Sequence, residues 1–319
     1  MNSASIDLIY LDPPFNSKTN YAAPIGSQAA GAEFKDTWTL NDIDIAWLDL
    51  IEAKHSRLWR VIQAAMTDSD KSYLIYMAAR LLEIHRLLKP TGSIYLHCDP
   101  TMSHYLKLVM DAIWGHKQFK NEIVWCYSGP SNTHNWFVRK HDCILYYART
   151  SEAFFNYEAV RVPHKDGLHN EGGVMLGKDY GKVDTFSMVE KGKLCPDWWG
   201  DIGAGAHIPK GERVGYPTQK PTKLLRRIIR ASSNEGDVIF DPFCGCATTC
   251  IAAQDEGREW VGIDISPKAA DLVISRLRNE LGMFADKSVC HRTESMSPNR
   301  LSRNPMRRFR RGSRPRLLG

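Results

Sequence analysis

No run of apolar residues in this sequence of 319 approaches the ~20 that a membrane-crossing helix needs, and the N-terminus lacks the basic-then-apolar layout of an export signal. A cytoplasmic protein is expected. The eight cysteines, Cys98, Cys126, Cys143, Cys195, Cys244, Cys246, Cys250 and Cys290, are scattered along the chain, so reduced thiols are expected rather than a disulfide framework. Cys244, Cys246 and Cys250 cluster, but the spacing C-x-C-x3-C has no second paired half, and no metal site is expected. Acid is absent after Glu294, while eight arginines fall between Arg300 and Arg316. The formal net charge of +6 therefore resides in the tail, which is expected to be a disordered basic arm attracted to phosphates. There is no internal repeat, and only the Arg/Ser/Pro-rich end from about residue 295 is of low complexity.

What is present begins with 43% hydrophobic content, enough for one substantial α/β core. Residues 6 to 12 (IDLIYLD) form an apolar run closed by an acid and two prolines, which predicts a buried parallel strand opening into a loop. Leu74, Met77, Ala78, Leu81, Leu82, His85 and Leu88 follow a helical period over 73 to 89, closed by Pro90 and Gly92, and Ser93 to Cys98 read as the next strand. Further strands are expected at 121 to 127, 142 to 148, 237 to 241 and 259 to 264, and helices at 104 to 114, 221 to 233, 247 to 256 and 267 to 281. Such alternation indicates a doubly wound sheet. Between 150 and 214 the periodicity fails around an aromatic knot at Trp198 and Trp199, as an inserted lobe or set of long loops would look.

Three constellations carry chemistry. Asp12-Pro13-Pro14-Phe15 stands at the mouth of the first strand, and its residue types suit methylation of an aromatic amine. Such an amine is a poor nucleophile because its lone pair is delocalised into the ring. A carboxylate and a backbone carbonyl can accept its two N–H groups and draw the nitrogen toward tetrahedral geometry, while the prolines stiffen the loop. Phe15 would stack on a base extruded from a duplex and favour the positive charge building at the nitrogen. Taken alone, the motif reads equally as a proline-stiffened turn. The second constellation, Asp241-Pro242-Phe243-Cys244-Gly245-Cys246-Ala247-Thr248-Thr249, is a strand end running into a helix start, where outward N–H groups and small residues admit a nucleotide-like ligand. The G-x-G-x-x-G pattern of a generic dinucleotide site is absent. Asp264 ends the following strand, where an acid commonly meets ribose hydroxyls. The third, Tyr216-Pro217-Thr218-Gln219-Lys220-Pro221, is on composition only a turn that starts a helix.

In order along the chain, IDLIYLDPPFNS, GSIYLHCDP, NEIVWCY, KHDCILYYA, GYPTQKP, DVIFDPFCGCATT and WVGIDIS resemble the permuted, β-class DNA amino-methyltransferases, whose catalytic D-P-P-[YF] precedes the cofactor half. The resemblance covers residues 5 to about 280. It implies an α/β, Rossmann-like S-adenosylmethionine-dependent methyltransferase fold, with a mostly parallel sheet, an antiparallel final hairpin and an inserted target-recognition region. The implied organisation is a catalytic half over 1–149, a recognition region over 150–214, a cofactor half over 215–284 and a basic tail over 285–319. By the same resemblance Asp12 and the Pro13 carbonyl hold the amino group, with Pro14 in the loop and Phe15 on the base. Asp241, Pro242, Phe243, Gly245, Ala247 and Thr248 surround the methionine and sulfonium part of S-adenosyl-L-methionine, Asp264 its ribose, and Thr218, Gln219 and Lys220 the remaining wall. An Asp-first motif in this family goes more often with N6 of adenine, a Ser-first one with N4 of cytosine. The expected partner is double-stranded DNA, with a homodimer and a companion restriction endonuclease as further expectations.

The sequence departs from the family twice. Alanine stands at position 247, where a second glycine is usual; if that backbone needs φ > 0, alanine costs on the order of 1 kcal/mol. The chain begins eleven residues before Asp12, whereas relatives commonly carry an upstream segment with an acid near the adenine, so the expectation is a truncated start, a wall supplied otherwise, or a weak enzyme. No Pro-Cys dipeptide is present, consistent with chemistry that needs no thiol nucleophile. Two other readings stand beside the first: N4-cytosine methylation, and a DNA-binding remnant that keeps the fold without turnover.

Overall fold

The computed structural model describes residues 1–38, 45–129, 133–163, 192–281, 289–291 and 316–318. In chain order the elements are β1 (Ile6–Leu11), β2 (Asn20–Ala22), β3 (Glu33–Lys35), α1 (Ile45–Lys54), α2 (Ser56–Gln63), α3 (Asp68–Leu87), β4 (Leu88–Cys98), α4 (Ser103–Trp114), β5 (Phe119–Cys126), β6 (His141–Ala148), β7 (Trp198–Trp199), α5 (Thr222–Ser232), β8 (Val238–Asp241), α6 (Thr248–Asp255), β9 (Glu259–Ile263), α7 (Pro267–Leu281), β10 (Val289–His291) and β11 (Arg316–Leu318).

Nine strands form one sheet in the order β10-β11-β9-β8-β1-β4-β6-β5-β7. β6 runs antiparallel to both β4 and β5, and the remaining pairs are parallel. All six residues of β1 are buried, as a central parallel strand with both faces covered requires. Its side chains alternate: Ile9 and Leu11 join the cluster under α2, α3 and α4, while Leu8 and Tyr10 join the opposite cluster with Leu224, Ile228 and Ile251 from α5 and α6. The architecture is thus helices on both faces of a mostly parallel α/β sheet.

α3 starts at an N-cap, where the Thr67 side chain accepts from the Asp70 amide at 3.1 Å, with Asp68 and Asp70 in the first turn. It ends at Leu87 and β4 begins at once at Leu88, so Pro90 and Gly92 lie inside the strand element rather than between helix and strand. A register shift accommodates them: Ile6 pairs with Leu88 but Leu8 with Ser93. Gly92 is needed there, because a Cβ on it would meet the Asp7 carbonyl oxygen at 2.8 Å.

Two features differ from the sequence reading. α1 and α2 carry no long apolar period and were not anticipated. Part of the expected basic tail enters the sheet, since 289–291 and 316–318 are strands, β11 pairing with β9. The intervening stretch lies outside the described residues. Within 150–214, residues 164–191 also lie outside them. The returning part places Trp198 and Trp199 on the sheet beside Val124 and Trp125, with Trp199 buried and Trp198 half exposed.

Candidate active site

β1 and β8 are adjacent and parallel, with Leu8 opposite Ile239 and Ile9 opposite Phe240. Asp12 and Asp241 consequently leave the sheet at the same edge, although 228 residues lie between them in sequence. β9 delivers Asp264 to that edge beside them. A cavity of about 400 Å³ opens there, lined by Asp12, Pro13, Pro14, Phe15, Thr218, Gln219, Lys220, Asp241, Pro242, Phe243, Gly245, Thr248 and Asp264. All the site residues singled out in the sequence meet around it except Ala247.

Ala247 is the exception because its methyl is fully buried in the core that packs on β1 and β8. Its contribution is backbone shape. With φ 60° it is a left-handed residue at the N-terminus of α6, and its amide donates to the Cys244 carbonyl at 2.6 Å. The strain anticipated for alanine at this position is therefore present. Gly245, also at positive φ (48°), passes so close to Tyr216 that a Cβ would meet the ring at 3.0 Å.

The Asp12–Phe15 loop is held by groups that the motif does not reveal. Asp36, nearly fully buried, accepts from the backbone amides of Phe15, Asn16 and Ser17 at 3.2, 2.7 and 2.8 Å, and from the Ser17 hydroxyl at 2.5 Å. Asn16, at φ 60°, donates to Asp70 at 2.8 Å and accepts from Ser69 at 2.9 Å, tying the loop to the start of α3. Phe15 stacks on His97 with ring centroids 5.7 Å apart. His97 is fully buried and bonded at both ring nitrogens, Nδ1 with Tyr10 Oη at 2.8 Å and Nε2 with Asp142 at 3.0 Å. Burial alone would raise the Asp142 carboxyl, but the His97 hydrogen bond and charge, with Lys220 and the Tyr127 hydroxyl, hold it below the ordinary range.

Lys220 lies against the Asp12 carboxylate. Its Nζ donates to both Asp12 oxygens at 2.8 and 2.7 Å and stands 5.3 Å from the Phe15 ring centroid. The pair is largely shielded, at 9% and 18% side-chain exposure.

Asp241 and Asp264, which follow one another at the ends of β8 and β9, have different environments. Burial pushes the Asp241 carboxyl up to about 7, against hydrogen bonds from Thr249 and the Phe243 amide, with the charge of Asp12 adding to the rise. Burial also raises Asp264, whose oxygens accept from the Gly245 and Ser266 amides at 2.8 Å each. Asp264 thus clamps the glycine turn as well as lining the cavity. Burial, then the nearby Asp264, keeps the Tyr216 phenol well above its usual range. Tyr216 was visible only as part of the turn before α5, and sequence reasoning missed Asp36, Tyr76, Arg80 and Ser266. Only Arg80 left a trace, as a cation one turn after Tyr76, on whose ring its guanidinium rests at 3.3 Å. Among the described residues no cluster of His, Cys, Asp and Glu has metal-holding geometry, and Cys244 and Cys250 are packed thiols against Gly262.

Residues 6–275 match the family model N6_N4_Mtase, described as DNA methylase. The type II methyltransferase M.HpaI of Haemophilus parainfluenzae is 30% identical over 66% of this chain and 62% of its own length. The DNA adenine methyltransferase YhdJ of Escherichia coli K12 is 28% identical over 86% of this chain and 76% of its own. The chain thus spans less than two thirds of the length of the former. Among solved structures, the complex of M1.HpyAVI with SAM aligns over 86% of this chain and 90% of that one, at 18% identity and a TM-score of 0.45.

Proposed function

Because the chain belongs to the N6/N4 DNA methylase family, whose model spans residues 6–275, we propose that it transfers a methyl group from S-adenosyl-L-methionine to N6 of adenine in double-stranded DNA. The observation that carries this reading is the meeting of Asp12-Pro13-Pro14-Phe15 with Asp241 and Asp264 around one cavity. The size of that cavity, about 400 Å³, is that of a site for a nucleoside-sized molecule. Its acids and its aromatic walls, Phe243 and Tyr216, suit a cationic sulfonium. The cofactor supplies an electrophilic methyl on sulfur. Asp241, Phe243, Gly245 and Thr248 would hold its methionine end, Asp264 its ribose, and Thr218 and Gln219 the remaining wall.

The residues of this chain do the rest. Asp12 accepts one N–H of the amine and the Pro13 carbonyl the other, so that the nitrogen lone pair is released from the ring toward attack. Pro13 and Pro14 restrict the loop, and Asp36 fixes its downstream amides. Phe15, braced by His97, presents a face to a base rotated out of the duplex. Lys220, with both Asp12 oxygens in hand, sets the orientation of the carboxylate before the base arrives.

Adenine is favoured because Asp heads the motif and because YhdJ, similar over 86% of this chain, is an adenine methyltransferase. Digestion of methylated DNA to nucleosides and mass spectrometry should give N6-methyladenine; N4-methylcytosine alone would move the reading to the other amine. No methylated base, no heat with S-adenosylmethionine and retained DNA binding would make the chain a remnant. Asp12→Ala should abolish transfer while leaving cofactor affinity within about threefold, since it removes the amine contact and the Lys220 pair but none of the groups assigned to the cofactor. A cytoplasmic location, a homodimer and a companion restriction endonuclease complete the proposal. Sedimentation of the protein with and without DNA tests the dimer.

A further inference from the structure

The connection between β5 and β6 rises at the catalytic edge of the sheet. β1 runs parallel to β4, with Leu11 opposite Leu96, and β4 antiparallel to β6, with Cys98 opposite Cys143. The start of β6 and the end of β5 therefore face the same way as Asp12. In this connection Trp136 is 64% exposed, Phe137 97% and Val138 45%. Three consecutive apolar side chains in water, two of them aromatic, mark a surface that covers something in the working state. Their sequence neighbours are His134, Arg139, Lys140 and His141, a basic setting that matches phosphates.

The connection is tied to the catalytic loop through its base. The Tyr127 amide donates to the Lys140 carbonyl at 3.0 Å, and the Tyr127 hydroxyl donates to Asp142 at 2.9 Å. Asp142 meets His97, His97 meets Tyr10, and Phe15 stacks on the same imidazole. One chain of hydrogen bonds and ring contacts thus joins the foot of the Trp136-Phe137 segment to the aromatic ring that would receive the base.

An enzyme that draws a base from a duplex leaves a gap in the stack, and flat or apolar side chains that enter the gap offset the lost stacking. We infer that Trp136 and Phe137 form a wedge that enters the DNA at the vacated position, with Arg139 and Lys140 on the adjoining phosphates. The inference rests on the proposed DNA-methylating function and adds the surface that opens the substrate. A second copy of the chain is the competing occupant.

The test uses a duplex carrying the target site, mapped by long-read sequencing of DNA methylated by the full chain. The double variant Trp136→Ala, Phe137→Ala should lower kcat/KM on this duplex by at least about tenfold, because the gap is no longer filled. The loss should shrink to about threefold or less when the target base faces an abasic site, since no base pair is then broken and the opposite strand offers no base to hold apart. With 2-aminopurine at the target position, the fluorescence rise on binding should be lost with the variant. A duplex rate within about twofold of the unaltered protein, or an equal loss on both substrates, would overturn the wedge. So would a change of oligomeric state with methylation unaltered. If the unaltered protein methylates no DNA, the functional reading itself fails, and the wedge with it. The single variant Phe137→Leu, which keeps an apolar side chain, should fall between the two extremes.

Discussion

Replacing Lys220 with methionine distinguishes a partner that holds Asp12 from a piece of the cofactor wall. The sequence placed it in the cofactor wall. The structure puts its ammonium on both Asp12 oxygens at 2.8 and 2.7 Å, in a pair exposed by only 9% and 18%. Lys220→Met keeps the length and apolar stem but removes the charge. Asp12 then lies near the buried Asp241 with no cation against it. Removing one partner of a buried pair costs about 3–5 kcal/mol; because Asp12 also reaches the open cavity, about 2–3 kcal/mol is a better figure. Expressed in the barrier, that is a fall of about 30- to 150-fold in kcat. The assay is transfer of a labelled methyl group to DNA at saturating cofactor, with calorimetry for cofactor affinity and thermal unfolding as a control. S-adenosylmethionine affinity should stay within about threefold, and Lys220→Arg should recover most of kcat, since a guanidinium can hold the same two oxygens. A kcat near that of the unaltered protein with cofactor binding weakened tenfold or more would refute the pairing role and restore the cofactor wall.

Asp36→Ala removes the acceptor of three backbone amides in residues 15–17. It should cost about 2–4 kcal/mol of local order, read as faster amide exchange at those residues and a tenfold or greater loss of activity with an unchanged far-ultraviolet circular dichroism spectrum. Ala247→Gly relieves a left-handed alanine but also removes a fully buried methyl. Each effect is near 1 kcal/mol, so stability to urea should change by less than about 1 kcal/mol, and a gain of twice that would show that the methyl packs on nothing. Asp241, raised from 3.8 to about 7 by burial, is mostly protonated in the ligand-free protein below neutrality. A cationic cofactor favours its ionised form, so affinity should fall as pH drops through about 7, with proton release on binding by calorimetry and a weaker effect for uncharged S-adenosylhomocysteine. The same shift makes the ligand-free protein less stable as pH rises from about 4 to about 7.

The elements with a well-buried face were legible because burial leaves its period in the sequence. β1, α3, β8 and β9 fall where apolar runs and repeats put them. The end of α3 was misplaced because Pro90 and Gly92 look like a stop signal, whereas Gly92 instead permits the close approach of β4 to Asp7. The cavity residues carried by strand ends could be named in advance, since a motif at a strand terminus fixes where its side chains go. Asp36 could not be. A single acid beyond a short ribbon acquires its role only when the chain folds back to place it under the amides of 15–17, and nothing in its neighbours marks that. Lys220 was visible as a residue but not as a partner of Asp12, because 207 residues separate them and the contact depends on the pairing of β1 with β8.

That pairing is the joint on which the whole site depends. From β1 the chain moves outward to β4, β6 and β5 on one side, and after the irregular region it returns to β8 on the other. The crevice between β1 and β8 is therefore a topological switch point, the place where an open α/β sheet binds ligands at the carboxyl ends of its strands. The Asp12–Phe15 and Asp241–Thr249 motifs face each other across it whichever comes first in sequence, so the permuted order costs the site nothing. The ladder between the two strands registers only Leu8 with Ile239 and Ile9 with Phe240. At its far end Asp7 accepts from the Val238 amide at 3.0 Å and from Lys89 at 2.7 Å. An acid inside an otherwise apolar strand looks out of place in the sequence; in the fold it joins β1, β4 and β8, and so helps to set the distance between Asp12 and Asp241.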